Sequence, residues 1–96
     1  MKLMKIMENE KLYKEEHSAM VKALIRILRN VSAGTLKSEG SRVDNMSIVH
    51  YAYTLENGVT LNETIVDSTS YKAATKALLR LIEAVQDHMY YNNLVK

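Results

Sequence analysis

The sequence contains no cysteine, only three glycines and no long apolar run. Without cysteine there is no disulfide and no thiolate metal site, which favours a reducing, cytoplasmic (intracellular) location. The glycines are scattered singly, so no glycine-rich phosphate-binding loop is present. A membrane-spanning helix needs about 18 to 20 apolar residues, and no stretch approaches that length. We therefore expect an intracellular protein without a membrane partner.

Length and charge indicate one small domain. The 96 residues fit a single core, with residues 1–9 expected to be flexible. The formal net charge of +2 is too small by itself to indicate a polyanion partner. Its distribution is uneven, because residues 17–42 carry five basic groups against one acid, whereas 43–66 carry three acids and no base. Positive charge is therefore expected on helices and a loop, away from the strands.

A first helix is predicted over residues 11–30, where apolar residues recur at helical spacing. Val21 and Ile25 widen its apolar face, as expected for a helix that packs against a sheet and a neighbour. The other residues of that face are Tyr13, His17, Met20, Leu24, Ile27, Leu28 and Val31. The segment that follows, 32–45, is polar and shows no period, so it is either a mobile loop or contains a short edge strand at 35–37, which we favour.

Residues 47–66 predict a β-hairpin whose register follows from its apolar pattern. Alternate residues from 49 to 55 are apolar and lie on one face. A two-residue turn at Asn57-Gly58 would place apolar residues opposite polar ones. A three-residue loop with a left-handed Gly58 instead places the apolar residues of both strands opposite each other on one face. Its pairs are Leu55 with Val59, Tyr53 with Leu61, and Val49 with Ile65. The same face predicts that Tyr51 and Tyr53 pack in the core rather than form a base-stacking platform.

A second helix is predicted after the possible N-caps at residues 67–70, with a frayed end after His88. Its expected buried residues are Ala73, Ala74, Ala77, Leu78, Leu81, Ile82, Val85 and Met89. The predicted fold class is therefore α+β, a two-layer sandwich with two helices on a small antiparallel sheet, in the order α-(β)-β-β-α. Because a bare hairpin is marginally stable, the sheet needs a third strand or a second copy of the chain, and we expect a homodimer.

No catalytic or metal-binding set is found in the sequence. His17, His50 and His88 are too widely separated for metal-ligand spacing. The serines near Ser68 and Ser70 follow no nucleophile motif and are explained as helix caps. The chain is therefore expected to be non-enzymatic, without a cofactor or metal.

Basic residues form the candidate binding surface. The solvent faces of the two helices each carry three of them, at spacings that could straddle a phosphate backbone. Solvated helix faces commonly carry such charge for solubility alone. The candidate nucleic-acid-binding residues are Lys22, Arg26, Arg29, Arg42, Lys72, Lys76 and Arg80.

Residues 36–85 resemble the carboxy-terminal two-thirds of a double-stranded-RNA-binding domain. Residues 36–40 match its first strand and the following loop, 48–55 and 59–65 match its second and third strands, and 67–73 match the start of its last helix. The resemblance implies an α-β-β-β-α order and binding of duplex RNA by shape, through the helices and one loop. The family's basic cluster at the start of the last helix falls on Ser70, Tyr71 and Ala74, with only Lys72 and Lys76 nearby. Its Gly-Pro-x-His loop is replaced by residues 41–44.

Two functions fit these features. The first is a small adaptor that acts on an unidentified protein partner, such as a viral or mobile-element accessory or inhibitor protein acting on a host protein. The alternative is a module that binds duplex RNA or DNA through the basic helix faces. A homodimer is compatible with both.

Overall fold

A computed structural model describes residues 19–91, which form two helices and a three-stranded antiparallel sheet. The first helix, α1, is followed from residue 19 and ends at residue 31. The strands β1 (Gly34–Val43), β2 (Met46–Leu55) and β3 (Thr60–Asp67) come next, and helix α2 (Ser70–Tyr91) closes the order. The strands lie in the order β1-β2-β3. The predicted α+β class is confirmed, with α-β-β-β-α order.

One core joins both helices to one face of the sheet. Alternate residues of β2 point into it, which buries Tyr51 and leaves Tyr53 with no exposed surface. The Tyr53 hydroxyl donates a hydrogen bond of 2.6 Å to the carbonyl oxygen of Ser32, directly after α1. Since a buried phenol needs a partner, this bond fixes the end of α1 against the sheet. The prediction that these tyrosines pack in the core is confirmed.

Helix α1 buries a narrower face than the sequence indicates. Leu24 and Leu28 are buried, and Val21, Ile25 and Val31 pack beside them. Met20 and Ile27 were predicted on the buried face but are 52% and 47% exposed. The sequence offers two overlapping apolar stripes, and the structure buries the one that contains Val21 and Ile25. The predicted contributions of Tyr13 and His17 lie outside the described residues, as does the predicted flexibility of 1–9.

The segment predicted as a loop or short edge strand is a strand of ten residues. Strand β1 pairs with β2 from Gly34 opposite Leu55 to Val43 opposite Met46. Only Asp44 and Asn45 connect the two strands, with φ values of 49° and 65°. Two left-handed residues make the tight turn that suits a twisted hairpin, and Asp and Asn tolerate that conformation. The prediction was therefore right in kind and too short in length.

The register predicted for the second hairpin is confirmed. Tyr53 lies opposite Leu61, and Val49 lies opposite Ile65. The Leu55 amide donates to the Val59 carbonyl at 2.8 Å, and the Gly58 amide donates to the Leu55 carbonyl at 3.0 Å. Gly58 has a φ of 89°, as the three-residue loop requires.

Helix α2 packs on β2 and β3 through its small and aliphatic residues. The predicted buried set from Ala73 to Val85 is confirmed in full, and Met89 is partly buried against it. The helix continues past His88 to Tyr91, which corrects the expected frayed end at 90–91, and the rest of that expectation, at 92–93, lies outside the described residues. Within residues 19–91, neither helix is long and apolar enough to span a bilayer.

Candidate nucleic-acid interface

The seven basic residues of the predicted interface are all exposed. Three lie on α1, one lies on β1 and three lie on α2. On α1, positions 22, 26 and 29 fall within one narrow sector of the helix, opposite the buried Leu24 and Leu28. Packing of those two leucines against the sheet therefore turns Lys22, Arg26 and Arg29 towards solvent.

Helix α2 presents a similar row. Lys72, Lys76 and Arg80 are four residues apart and therefore follow one side of the helix. The opposite side holds Leu78 and Leu81, which have no exposed surface. The two rows of basic residues on α1 and α2, together with Arg42, are called the cationic surface below.

Lys76 is not an independent member of the cationic surface. Its Nζ lies 2.5 Å from Oδ2 of Asp67, at the end of β3, and the Asp67 side chain is only 14% exposed. The other carboxylate oxygen of Asp67 accepts hydrogen bonds from the amide of Ser68 at 2.7 Å and from its hydroxyl at 3.2 Å. Lys76 therefore holds the junction between β3 and α2, and its charge is partly neutralised there.

The contacts of Asp67 predict a pH dependence of stability. The hydrogen bond from Lys76, followed by that from the Ser68 amide, lowers the pKa of Asp67 below its usual value. A carboxyl with a lowered folded-state pKa stabilises the fold above its unfolded pKa of about 3.9, and this contribution disappears as pH falls through the folded-state value. We expect the unfolding free energies of wild type and Asp67→Asn to differ at pH 6 and to converge below about pH 4.

Urea titrations of both proteins between pH 2 and pH 7 would measure this difference. A gap between the two proteins that stays constant across that range would contradict the role of the Asp67 charge. Asp87→Asn, which removes an exposed carboxylate on α2, serves as a control for the general effect of losing a negative charge.

The position of Arg42 is determined by the strand register of the sheet and not by a helix. It lies opposite Ser47 in the β1–β2 register, and Ser47 is buried on the face that α1 and α2 cover. Residues opposite each other in a sheet point to the same face. Arg42 therefore points to the same side of the sheet as the helices. Its side chain is nevertheless exposed, as are all residues of β1 from position 37 to position 43.

Charge is divided between the two layers. The described part of α1 (19–31) and the whole of α2 carry six basic residues and two acids, Glu83 and Asp87. The segment 32–69, which holds the sheet and its turns, carries five acids and two bases. Such a division gives the helical layer a positive field although the whole chain is close to neutral.

The sheet face that the helices leave open is polar over most of its length. His50 Nδ1 and Thr64 Oγ1 are 2.8 Å apart, and the hydroxyls of Thr54 and Thr60 are 2.9 Å apart. Its end near the β1–β2 turn is apolar, with Val43, Met46 and Val66 53%, 39% and 54% exposed. Sequence reasoning missed this apolar end because the full length of β1 was not recognised.

Other chemistry is limited in the described part of the chain. No group of three histidine, aspartate or glutamate side chains within 19–91 is placed to hold a metal ion. Burial raises the pKa of both Tyr51 and Tyr53, and the positive charge of Arg29 partly offsets this for Tyr53.

The arrangement defines a class of small α+β domains with both helices on one face of an antiparallel sheet. A solved structure that shares this fold is the Protein Y N-terminal domain of Thermus thermophilus, with a TM-score of 0.60 and 19% sequence identity. The match covers 74% of this chain and 80% of that one. At this identity the likeness concerns the fold alone.

Comparison by sequence gives no family. No protein-family model matches the chain, and no curated protein matches it. The structural match supports the α-β-β-β-α order that the resemblance to double-stranded-RNA-binding domains implied, but it does not support membership of that family.

Proposed function

We propose that this protein is a non-enzymatic module that binds the phosphate backbone of duplex nucleic acid through its cationic surface. The observation that carries the proposal is the division of charge between the layers. The described part of α1 and the whole of α2 carry six basic residues, all exposed, against the two acids Glu83 and Asp87, whereas the sheet and its turns carry five acids and two bases. Phosphate contacts of this kind require positive charge at a surface and no special base-reading group.

The spacing on each helix suits a repeated anionic partner. Residues four apart on an α-helix are separated by about 6 Å along its axis, so Lys72 and Arg80 are about 12 Å apart. A duplex carries about one negative charge per 1.7 Å of its axis, so one helix reaches several phosphates. Because Lys76 is bound to Asp67, we assign the larger contributions to Arg26, Arg29 and Arg80.

A pair of variants with equal charge change tests the proposal. Arg26→Gln with Arg80→Gln removes two positive charges from the cationic surface. Asn62→Glu with Val66→Glu makes the same net change on the open sheet face, where both residues are exposed. Fluorescence anisotropy with labelled duplex RNA and duplex DNA would compare both variants with wild type over a range of salt concentrations.

We expect wild type to bind in low salt, with affinity that falls linearly on a logarithmic scale as salt rises. The arginine variant should lose about tenfold or more in affinity, and its salt slope should fall by up to about 2. The sheet variant should bind like wild type. Absence of binding to both duplexes at low salt, or equal losses in the two variants, would rule out this function.

The adaptor function is the second candidate, and it is favoured by the apolar end of the open sheet face. Val43, Met46 and Val66 are exposed there beside the half-buried Ile48. Exposed apolar clusters of this kind are typical of protein interaction sites. Capture of partners from lysate, with and without nuclease, separates the two functions, because a protein partner of this face survives nuclease and is lost in Val66→Glu.

A further inference from the structure

Strand β1 presents one long unpaired side within the described residues. It lies at the edge of the sheet and pairs only with β2 in that part of the chain. Residues 37–43 are exposed throughout. An edge strand of this length presents a row of backbone donors and acceptors that another strand can pair with.

The tight turn determines which residues of β1 direct these groups outward. Val43 and Met46 flank a two-residue connection and therefore form a pair that exchanges both backbone hydrogen bonds. Such pairs alternate along an antiparallel ladder, so the odd-numbered residues of β1 bond to β2. The even-numbered residues, including Ser38 and Gly40, direct their N–H and C=O groups towards the outer edge.

We propose that two copies of the chain join through their β1 strands, antiparallel and centred on Ser38, to form a continuous six-stranded sheet. This inference is independent of the proposed nucleic-acid binding. In this register Ser38 lies opposite Ser38 of the second copy, and Leu36 lies opposite Gly40. These are even-numbered residues, so their outward groups form the hydrogen-bonded pairs that the new ladder requires. Such a two-fold contact is self-complementary, as homodimer contacts generally are.

Charge complementarity selects this register. Lys37 of each copy lies opposite Glu39 of the other, on the open face of the sheet, which gives two oppositely charged cross-strand pairs. Both residues are exposed in the single chain. Directly opposed charges of opposite sign stabilise strand pairing, and like charges destabilise it.

Gly40 provides a second, steric argument for the register centred on Ser38. A Cβ at Gly40 would meet no atom closer than 4.0 Å, so nothing in the described chain requires glycine there. Its φ is not positive either. In the proposed dimer, Gly40 faces the half-buried Leu36 of the second copy, and the missing side chain leaves room for that leucine to extend across the junction.

A single introduced cysteine tests the register. The chain has no cysteine, so Ser38→Cys adds the sole thiol. A hydrogen-bonded antiparallel pair has Cα atoms about 5.5 Å apart, within the range of about 4.4–6.8 Å that a disulfide requires. Ser41→Cys is the matched control, because the two copies of position 41 would be about 20 Å apart.

Under mild oxidation we expect Ser38→Cys to form a covalent dimer at least tenfold faster than Ser41→Cys. Sedimentation equilibrium of the full wild-type chain should show a dimer. Equal cross-linking rates, or a monomer at high concentration, would overturn the proposal. Occupation of the edge by residues 1–18 of the same chain would give that monomer.

Charge exchange provides an independent check. Lys37→Glu and Glu39→Lys should each weaken the dimer about tenfold, because each creates two like-charge pairs. The double variant restores opposite charges in this register and should return the dissociation constant to within about threefold of wild type. A double variant as weak as the single variants would show that the register is wrong.

Discussion

We expect Leu28→Ala to lower the free energy of unfolding by about 2–5 kcal/mol, the usual cost of truncating a buried leucine. Leu28 has no exposed surface and belongs to the core that joins α1 to the sheet and α2. Urea denaturation followed by circular dichroism would measure the change.

The neighbouring residue provides the control. Ile27 lies next to Leu28 in the sequence and is 47% exposed, so Ile27→Ala should change stability by no more than about 0.5 to 1 kcal/mol. The sequence predicts both side chains on the buried face, whereas the structure separates them. Equal losses in the two variants would show that α1 is rotated so that Ile27 is buried as well as Leu28.

Gly34→Ala should destabilise the protein by about 1–3 kcal/mol, as overpacking of a filled site generally does. A Cβ at Gly34 would lie 2.7 Å from the carbonyl oxygen of Thr54 and 2.8 Å from the Tyr53 ring. Tyr53 is fully buried and held by its hydrogen bond to Ser32. Neither neighbour can move without disturbing the start of β1 or the end of α1.

Gly40→Ala is the matched control for this change. It lies in the same strand, where an added Cβ would meet only the carbonyl oxygen of Ile48 at 4.0 Å, an ordinary van der Waals distance. In dilute solution we expect it to leave stability unchanged or raise it slightly, since alanine restricts the unfolded chain more than glycine does. Thermal unfolding of both variants would measure the contrast, and a stable Gly34→Ala protein would contradict the close approach of the Tyr53 ring.

The sequence was sufficient to predict an element and its buried face where the apolar residues of that element can lie on only one side. In β2, the apolar residues at 49, 51, 53 and 55 determine both the buried face and the pairing with β3, since a shift by one residue would turn them to solvent. In α2, a row of alanines and leucines has only one possible buried side. These elements were predicted correctly because burial is decided within the element.

Elements with a weak apolar pattern, or with two overlapping apolar stripes, were not predicted fully. Strand β1 is largely exposed, so its sequence shows no alternation of apolar and polar residues. The only sequence feature that indicated its end was the Asp44-Asn45 turn. Helix α1 carries two apolar stripes, and the choice between them depends on its contacts with the sheet. Tertiary packing decides both cases.

The candidate interface was also predicted only in part from the sequence. Exposure of its six helical basic residues followed from helical spacing, whereas Arg42 lies on β1. The ion pair between Asp67 and Lys76 did not, because it joins the end of a strand to the second turn of a helix, nine residues apart. A lysine that appears equivalent to its neighbours in sequence is therefore already engaged in the fold.

The placement of both helices on one face of the sheet has a consequence for assembly. In the proposed dimer, the two-fold axis through the paired β1 strands would run along the sheet normal, so both copies would present their helices on the same side. The dimer would then be bivalent, and a duplex long enough to reach both halves would gain avidity from the second contact. Short duplexes would engage only one half and dissociate sooner.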